Sequence, residues 1–185
     1  MTGFYGDVVA KWLVDKHRNM ELVEPFKFID PAGLEWEAPQ GAIINGASIP
    51  RGLWSFGPPY VGKYRRASVI HDHYSETQER SWQATHRVFY HMCRADGVKK
   101  IKAKLMYAAV YVGGPRWLVA TQNMTFMSAG GIDNITKGQA ISLLPTMKAE
   151  KFDEIQSWIE DEDPSLDSIE AELEKHVTLF SAGGS

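Results

Sequence analysis

The sequence predicts an α+β fold: a small antiparallel β unit, then a three-helix body, then a C-terminal helical extension. Three observations predict it. Short apolar segments separated by turn residues fill the first 44 residues, apolar positions at helical spacing run from Lys63 to Val112, and an acidic helical pattern starts at Lys148. Alternation indicates strands, and spacing of three to four indicates helices. We therefore expect a domain at residues 1–117 and an extension at residues 118–185.

The β unit is predicted from four segments. Residues 4–14 are apolar enough for a strand or a docking arm, and residues 20–29 alternate around Pro25. Because proline donates no backbone hydrogen bond, the second segment is predicted to be an edge strand. Two shorter strands are expected at residues 34–38 and 42–44, with turn residues between them.

A loop rich in glycine and proline follows, and it also carries apolar side chains. An irregular, apolar loop must pack against the body with its backbone groups satisfied. Asn45 and Ser48 are short polar residues suited to that task.

The first helix is expected at residues 63–74. Its apolar stripe includes His71 and Tyr74, so His71 should point into the core. Asp72 should lie at the edge of this stripe, and His73, nearly opposite His71, should be exposed.

Two more helices complete the body. Residues 75–78 have the spacing of a capping box, which predicts the start of the second helix. His86 lies in its apolar stripe, and Gly97 should end it. The third helix is expected at residues 99–112, with its lysines, Lys104 among them, facing mostly outward.

The extension is weakly patterned at first. Residues 118–145 are predicted as irregular structure or short strands, and residues 148–162 as a helix. Ser165 should cap a last helix. Both helices are amphipathic and acidic, and we expect them to reach outward to other molecules.

Charge is divided along the chain. Ten Lys/Arg and four Asp/Glu lie between Lys63 and Lys104, whereas eleven Asp/Glu and one Lys lie between Glu150 and Glu174. This division fits an acidic tail folded on a basic body, two faces for two partners, or two solvated surfaces. Because most of the basic residues fall at solvent-facing helix positions, nucleic acid is not the expected partner.

Composition excludes several classes of protein. The single cysteine, Cys93, rules out an internal disulfide framework and a four-thiolate zinc site. No apolar run approaches the roughly 20 residues that span a bilayer, so no membrane partner is expected. The N-terminal residues do not form a secretory signal, which predicts synthesis in a cytoplasm.

The candidate functional residues lie on two consecutive helices. Such helices pack antiparallel, so His71 and His86 should meet, with Asp72 at their side. One interpretation is a structural network that also includes Asn45, Tyr74 and Arg80 and pins the loop to the helices.

Two catalytic interpretations remain open beside it. His71, Asp72 and His86 would form a metal site, with zinc or another divalent metal as the cofactor. Alternatively, His71 and Asp72 would transfer protons without a metal, acting on water or on Ser48. The catalytic set would then be His71, Asp72 and Ser48.

Several motifs together resemble a known family. They are NGASIPRGLW from Asn45, AxxxHDxY from Ala67, and later Arg80, Phe89 and Gly113-x-x-x-Trp117. This combination, over residues 25–117, resembles the phage and bacterial proteins grouped as domain of unknown function number 1353. Asn45 and His86 stand at positions where that family commonly has aspartate. The resemblance implies a phage or prophage origin, often near tail and lysis genes, and no established reaction.

The first expectation for function is therefore a virion structural protein of the tail, baseplate or neck. It would be made in the host cytoplasm and would bind other virion proteins, or copies of itself, through its N-terminal arm and residues 148–180. The alternative is a phage-encoded metal-dependent hydrolase of cell wall or a small molecule, centred on His71, Asp72 and His86. A host-takeover factor that binds a host protein is a third expectation.

Overall fold

A computed structural model of the chain describes residues 1–14, 19–44, 62–119, 124–128, 131–135 and 140–181. Within these ranges the chain forms the predicted α+β fold. Its elements, in chain order, are β1 (Gly3–Tyr5), β2 (Ala10–Trp12), β3 (Met20–Leu22), β4 (Phe26–Ile29), β5 (Glu35–Ala38), β6 (Ile43–Ile44), a 3-10 turn (Gly62–Tyr64), α1 (Arg65–Thr77), α2 (Trp82–Ala95), α3 (Lys100–Gly113), β7 (Arg116–Val119), β8 (Met124–Ser128), β9 (Gly131–Ile135), β10 (Ala140–Thr146), α4 (Ala149–Glu162), α5 (Leu166–Glu174) and β11 (Thr178–Ser181).

The N-terminal β unit consists of two small antiparallel sheets, ordered β1-β4-β5 and β2-β3-β6. The segment predicted as one edge strand forms two strands, β3 and β4, and each is the middle strand of its sheet. That prediction is wrong because the N-terminal residues supply β1 and β2 as outer strands. Pro25 lies between β3 and β4, where its missing N–H interrupts no ladder.

The first hydrophobic core lies between the strands and the helices α1, α2 and α3. Phe26, Phe28 and Trp36 contribute from the strands, and Ile70 and Phe89 from the helices, each at most 2% exposed. Large aromatic side chains bury the most apolar surface per residue. They hold α1 and α2 against the β unit.

The junction between α1 and α2 differs from the prediction. Ser75 is buried inside the last turns of α1, which continues to Thr77 and ends at Gln78 in the left-handed conformation. The N-cap of α2 is Ser81, whose hydroxyl accepts a hydrogen bond from the Ala84 N–H. An N-cap needs a non-helical backbone, and the chain leaves the helical conformation only after Thr77.

The extension packs on the body instead of reaching outward. Its helices α4 and α5 form a second core with α3 and with Trp82 of α2, through Ile155, Ile159, Ile169 and Leu173. The apolar stripes of both helices are therefore covered within the chain, and the binding of other molecules by residues 148–180 stays a prediction. Short helices are only marginally stable in water, so α4 and α5 are stabilised mainly by packing their apolar stripes against the rest of the chain.

Charged side chains also join the acidic extension to the basic helices, so an acidic tail is folded on a basic body. Arg87 of α2 forms ion pairs with Asp167 and Glu170 of α5. Lys104, expected outward, is buried at 3% exposure and donates to the backbone carbonyl oxygens of Asp163 and Pro164. It closes the turn between α4 and α5.

Residues after α3 form short strands, one of the two structures predicted for them. The strands β7, β10 and β11 form an antiparallel sheet with β10 in the middle, and β8 pairs with β9 as a hairpin. The predicted domain boundary at residue 117 falls within β7 and stays a prediction. No helix among the described residues is long and apolar enough to cross a bilayer.

Candidate functional site

The histidines of α1 and α2 meet in the core, as predicted. Nε2 of His71 lies 2.9 Å from Nδ1 of His86, which is hydrogen-bond distance, and the two rings stack with centroids 5.1 Å apart. One nitrogen donates and the other accepts. The contact links α1 to α2 at the level of Phe89, whose ring lies 5.2 Å from that of His71.

Burial keeps both rings neutral. Each histidine is 0% exposed. Burial lowers the pKa of His71 from 6.5 to about 4, against the opposing effect of the Asp72 carboxylate. Burial also holds the pKa of His86 well below its usual range, and the proximity of His71 and Arg116 lowers it further. Neutral imidazoles can act as ligands, acceptors or packed core groups.

The second nitrogen of His86 faces a confined space. Among the described residues, no group forms a hydrogen bond with Nε2 of His86. The Pro115 carbonyl favours the protonated ring but stands outside hydrogen-bond geometry with that nitrogen. A carbon added at Gly114 would lie 2.9 Å from Cε1 and 3.0 Å from Nε2 of His86. Only glycine at this position lets the backbone pass the ring.

The two nitrogens are too close to share a metal ion in this arrangement. Two nitrogens on one tetrahedral zinc would stand about 3.3 Å apart, given Zn–N bonds of about 2.0–2.1 Å. The 2.9 Å separation of the His71 and His86 nitrogens is that of a hydrogen bond. In the described part of the chain, no three His, Cys, Asp or Glu side chains are placed to hold a metal ion together. The set His71, Asp72 and His86 would have to rearrange to bind zinc.

The two residues that follow His71 on α1 are both buried. Asp72 is 5% exposed, and His73, expected to be exposed, is 8% exposed. The exposure prediction is wrong because α1 is buried over residues 67–75 and has no solvent face along that stretch. A periodic pattern identifies one core face, but it cannot show that a second face is also covered.

Asn45 and Ser48 lie outside the described residues. The proposed bonds of Asn45 to the histidines, and the role of Ser48 as a nucleophile, therefore stay predictions.

Tyr74 and Arg80 lie in a network at the end of α1. The Tyr74 hydroxyl accepts a hydrogen bond from the Glu37 N–H at 3.2 Å, and its ring meets Trp36 edge-on at 4.9 Å. The Arg80 guanidinium covers the same Trp36 ring at 4.1 Å and donates to the Glu35 carbonyl. These contacts tie the turn between α1 and α2 to β5.

A second buried cation, Arg116, was not predicted from the sequence. Arg116 is 2% exposed, and its guanidinium lies 4.1 Å over the Trp82 ring. It forms an ion pair with Glu174 at 2.9 Å and donates to the Tyr111 carbonyl. The position of Arg116 beside Trp117, within the Gly113-x-x-x-Trp117 motif, is the sequence feature that could have indicated its burial. A charge inside a conspicuous apolar motif needs a buried partner.

Comparisons with known proteins agree with the resemblance. Residues 20–110 match the family model "Protein of unknown function (DUF1353)". The chain is 50% identical over 109 residues to the uncharacterized protein y4jT of Sinorhizobium fredii, and 46% identical over 97 residues to the uncharacterized protein y4iH of the same bacterium. These matches cover 58% and 52% of this chain.

The relatives are longer proteins, because the matches span only 32% of y4jT and 41% of y4iH. No solved structure matches the chain. The family match includes α1, α2, the histidine pair and most of α3, and it stops before the sheet of β7, β10 and β11. Through residues 20–110, the chain belongs to the DUF1353 family of proteins of unknown function.

Proposed function

We propose that this chain is a structural protein of a phage particle, a component of the tail, baseplate or neck. It is made in the host cytoplasm and binds neighbouring virion subunits through its N-terminal arm, residues 4–14. The observation that carries the proposal is the exposure of large apolar side chains on this arm. Trp12 is 68% exposed and Val14 is 97% exposed.

Strand β2 of the arm also offers a backbone edge. Among the described strands, β2 pairs with β3 on one side only. An open edge presents unpaired N–H and C=O groups, which another chain can bind as an added strand. Apolar side chains beside such an edge favour a protein partner over water.

The chemistry of the core supports binding rather than catalysis. The two histidines that could serve a reaction bond to each other at 2.9 Å and are fully buried. Polar groups used in this way fix the packing of a core. The exposed acidic side of α4, which includes Glu150, Asp153 and Asp161, offers a second contact surface within residues 148–180.

Two experiments test this proposal. Mass spectrometry of particles purified from a strain that encodes the chain should detect it at a fixed ratio to the major tail proteins. The variant Trp12→Ser should fold normally but lose incorporation into particles. Leu34→Ser is the matched control, because Leu34 is 48% exposed and lies in a turn outside the arm. Particles that lack the wild-type chain would remove the proposal.

A second candidate is a metal-dependent hydrolase. The observation that favours it is Nε2 of His86, a buried imidazole nitrogen that no described group binds. Metal analysis of the purified protein tests it. A stoichiometric divalent metal that disappears in His71→Ala would support the hydrolase, whereas a metal-free protein without hydrolytic activity on cell wall would end it.

A further inference from the structure

A basic cleft lies between β1 and α2, away from the histidine pair. Its volume is about 450 Å³, and its lining includes Phe4, Arg66, His91 and Arg94. Of the described residues that line it, none is acidic.

Arg66 is held in one orientation. Its Nε donates to the Asp96 carboxylate at 2.8 Å, and the Asp96 side chain is only 6% exposed. Its guanidinium lies 4.3 Å over the Phe4 ring, and its side chain remains 41% exposed. A guanidinium has five N–H donors in a rigid fork. Those not directed at Asp96 are available to a ligand.

Arg94 is anchored in a similar way. Its Nη1 donates to the Val98 carbonyl at 2.5 Å, which leaves its other donors available. Arginines fixed by carboxylate, carbonyl and aromatic contacts lose less entropy when they bind an anion. Planar guanidinium groups match the geometry of phosphate oxygens.

The positive surface continues beyond this cleft. Arg66 also lines a neighbouring cleft of about 540 Å³, together with Lys63 and Arg65. Asp7 and Asp96 are the acidic residues of that lining, and Asp96 is already paired with Arg66. Among the described residues, four Lys or Arg side chains therefore line the two clefts, against two carboxylates.

We propose that Arg66 and Arg94 form a binding site for a phosphate group. His91 lies at the wall of the cleft, where burial lowers its pKa against the opposing effect of Asp30, so at neutral pH the phosphate is bound by Arg94 and by the Arg66 donors that Asp96 does not occupy. The same chemistry would accept a small phosphate compound or one phosphate of a phosphodiester chain. The second cleft would hold the next phosphate of such a chain.

Two probes at constant ionic strength test the site. Calorimetric titration with inorganic phosphate, against chloride as background, should show saturable binding. A fluorescent single-stranded oligonucleotide of eight nucleotides, followed by anisotropy, distinguishes the sources. Tighter binding that also weakens in Lys63→Gln and Arg65→Gln identifies a phosphodiester, and binding of phosphate alone identifies a small compound.

Variants decide whether the site is the one proposed. Arg94→Gln should weaken binding at least tenfold, and Arg66→Lys should weaken it although the charge stays, because the fork is lost. Lys102→Gln is the control, since Lys102 is exposed on α3 and lines neither cleft. Circular dichroism confirms folding of each variant. The proposal fails if neither probe binds above the chloride background, or if Arg94→Gln and Lys102→Gln bind alike.

Discussion

His71 and His86 face each other across the contact between α1 and α2, with 2.9 Å between Nε2 of one and Nδ1 of the other. Each is the buried hydrogen-bonding partner of the other. The pair therefore stabilises the α1–α2 packing only while both imidazoles are present and neutral.

Removing both rings should lower the free energy of unfolding by less than the sum of the two single removals. His71→Leu and His86→Leu each leave one buried nitrogen without its partner, and each should lower the free energy of unfolding by about 1–3 kcal/mol. The double variant should recover part of this loss, with a coupling of about 0.5–3 kcal/mol. Urea denaturation of the four proteins measures it.

The control for this cycle is His176→Leu. His176 is half-buried and pairs with Glu172 near the surface, so its loss should cost less than about 1 kcal/mol. Strictly additive losses for His71 and His86 would show that their contact contributes nothing.

Stability should fall on acidification in a defined pH window. The pKa of His71 is lowered from 6.5 to about 4 on folding, so between these values the unfolded chain binds a proton that the folded chain does not. The contribution of neutral His71 to the free energy of unfolding is fully present above pH 6.5 and is lost as pH falls towards 4. His71 alone gives a slope of about 1.4 kcal/mol per pH unit within this window.

Urea midpoints between pH 4 and pH 7.5 check this prediction. The double variant His71→Leu, His86→Leu should show a flatter dependence, because the contributions of its two fully buried histidines are gone while those of groups such as His73 and His91 remain. An equally steep profile in the double variant would show that His71 and His86 do not cause the loss of stability on acidification.

Gly114→Ala should be strongly destabilising. The added carbon would meet the Val110 carbonyl oxygen and would lie 3.0 Å from Nε2 of His86. Overpacking of this kind costs about 1–3 kcal/mol or more. Gly33→Ala is the comparison, since its added carbon meets no atom within 4 Å and only its positive φ is strained. Thermal denaturation should rank Gly114→Ala as the less stable protein.

Lys104 should matter more than Lys100, although both contact Asp163. Lys104→Met leaves the Asp163 and Pro164 carbonyls of the α4–α5 turn without their donor and should cost about 1–3 kcal/mol. Lys100→Met removes an exposed ion pair and should cost less than about 1 kcal/mol. Limited proteolysis should cut the extension of Lys104→Met first. Equal losses of stability in Lys104→Met and Lys100→Met would show that the buried hydrogen bonds of Lys104 add nothing to its ion pair.

Local patterns in the sequence predicted the elements and the meeting of the histidines. The apolar stripes that contain His71 and His86 fix which way each ring points, and antiparallel packing of consecutive helices brings the rings together. Ser165 was predicted as a cap, and its hydroxyl accepts from the Ser168 N–H at 3.1 Å. Such features depend on residues a few positions apart.

Features that depend on distant residues were not predictable in this way. His73 and Lys104 are buried because elements far along the chain cover them, and a helical wheel does not include those elements. The pairing of Arg116 with Glu174 joins residues 58 positions apart. Capping-box spacing at Ser75 was misleading because burial continued α1 past it.

The central position of β10, between β7 and β11, has a practical use for protein engineering. Strands β7, β10 and β11 form one sheet. The β8–β9 hairpin lies between β7 and β10 in the chain but belongs to a separate sheet. An epitope or a reporter peptide grafted in place of that hairpin would leave both anchoring strands intact. Such a graft offers a way to label the protein without altering the arm, the cleft or the histidine pair.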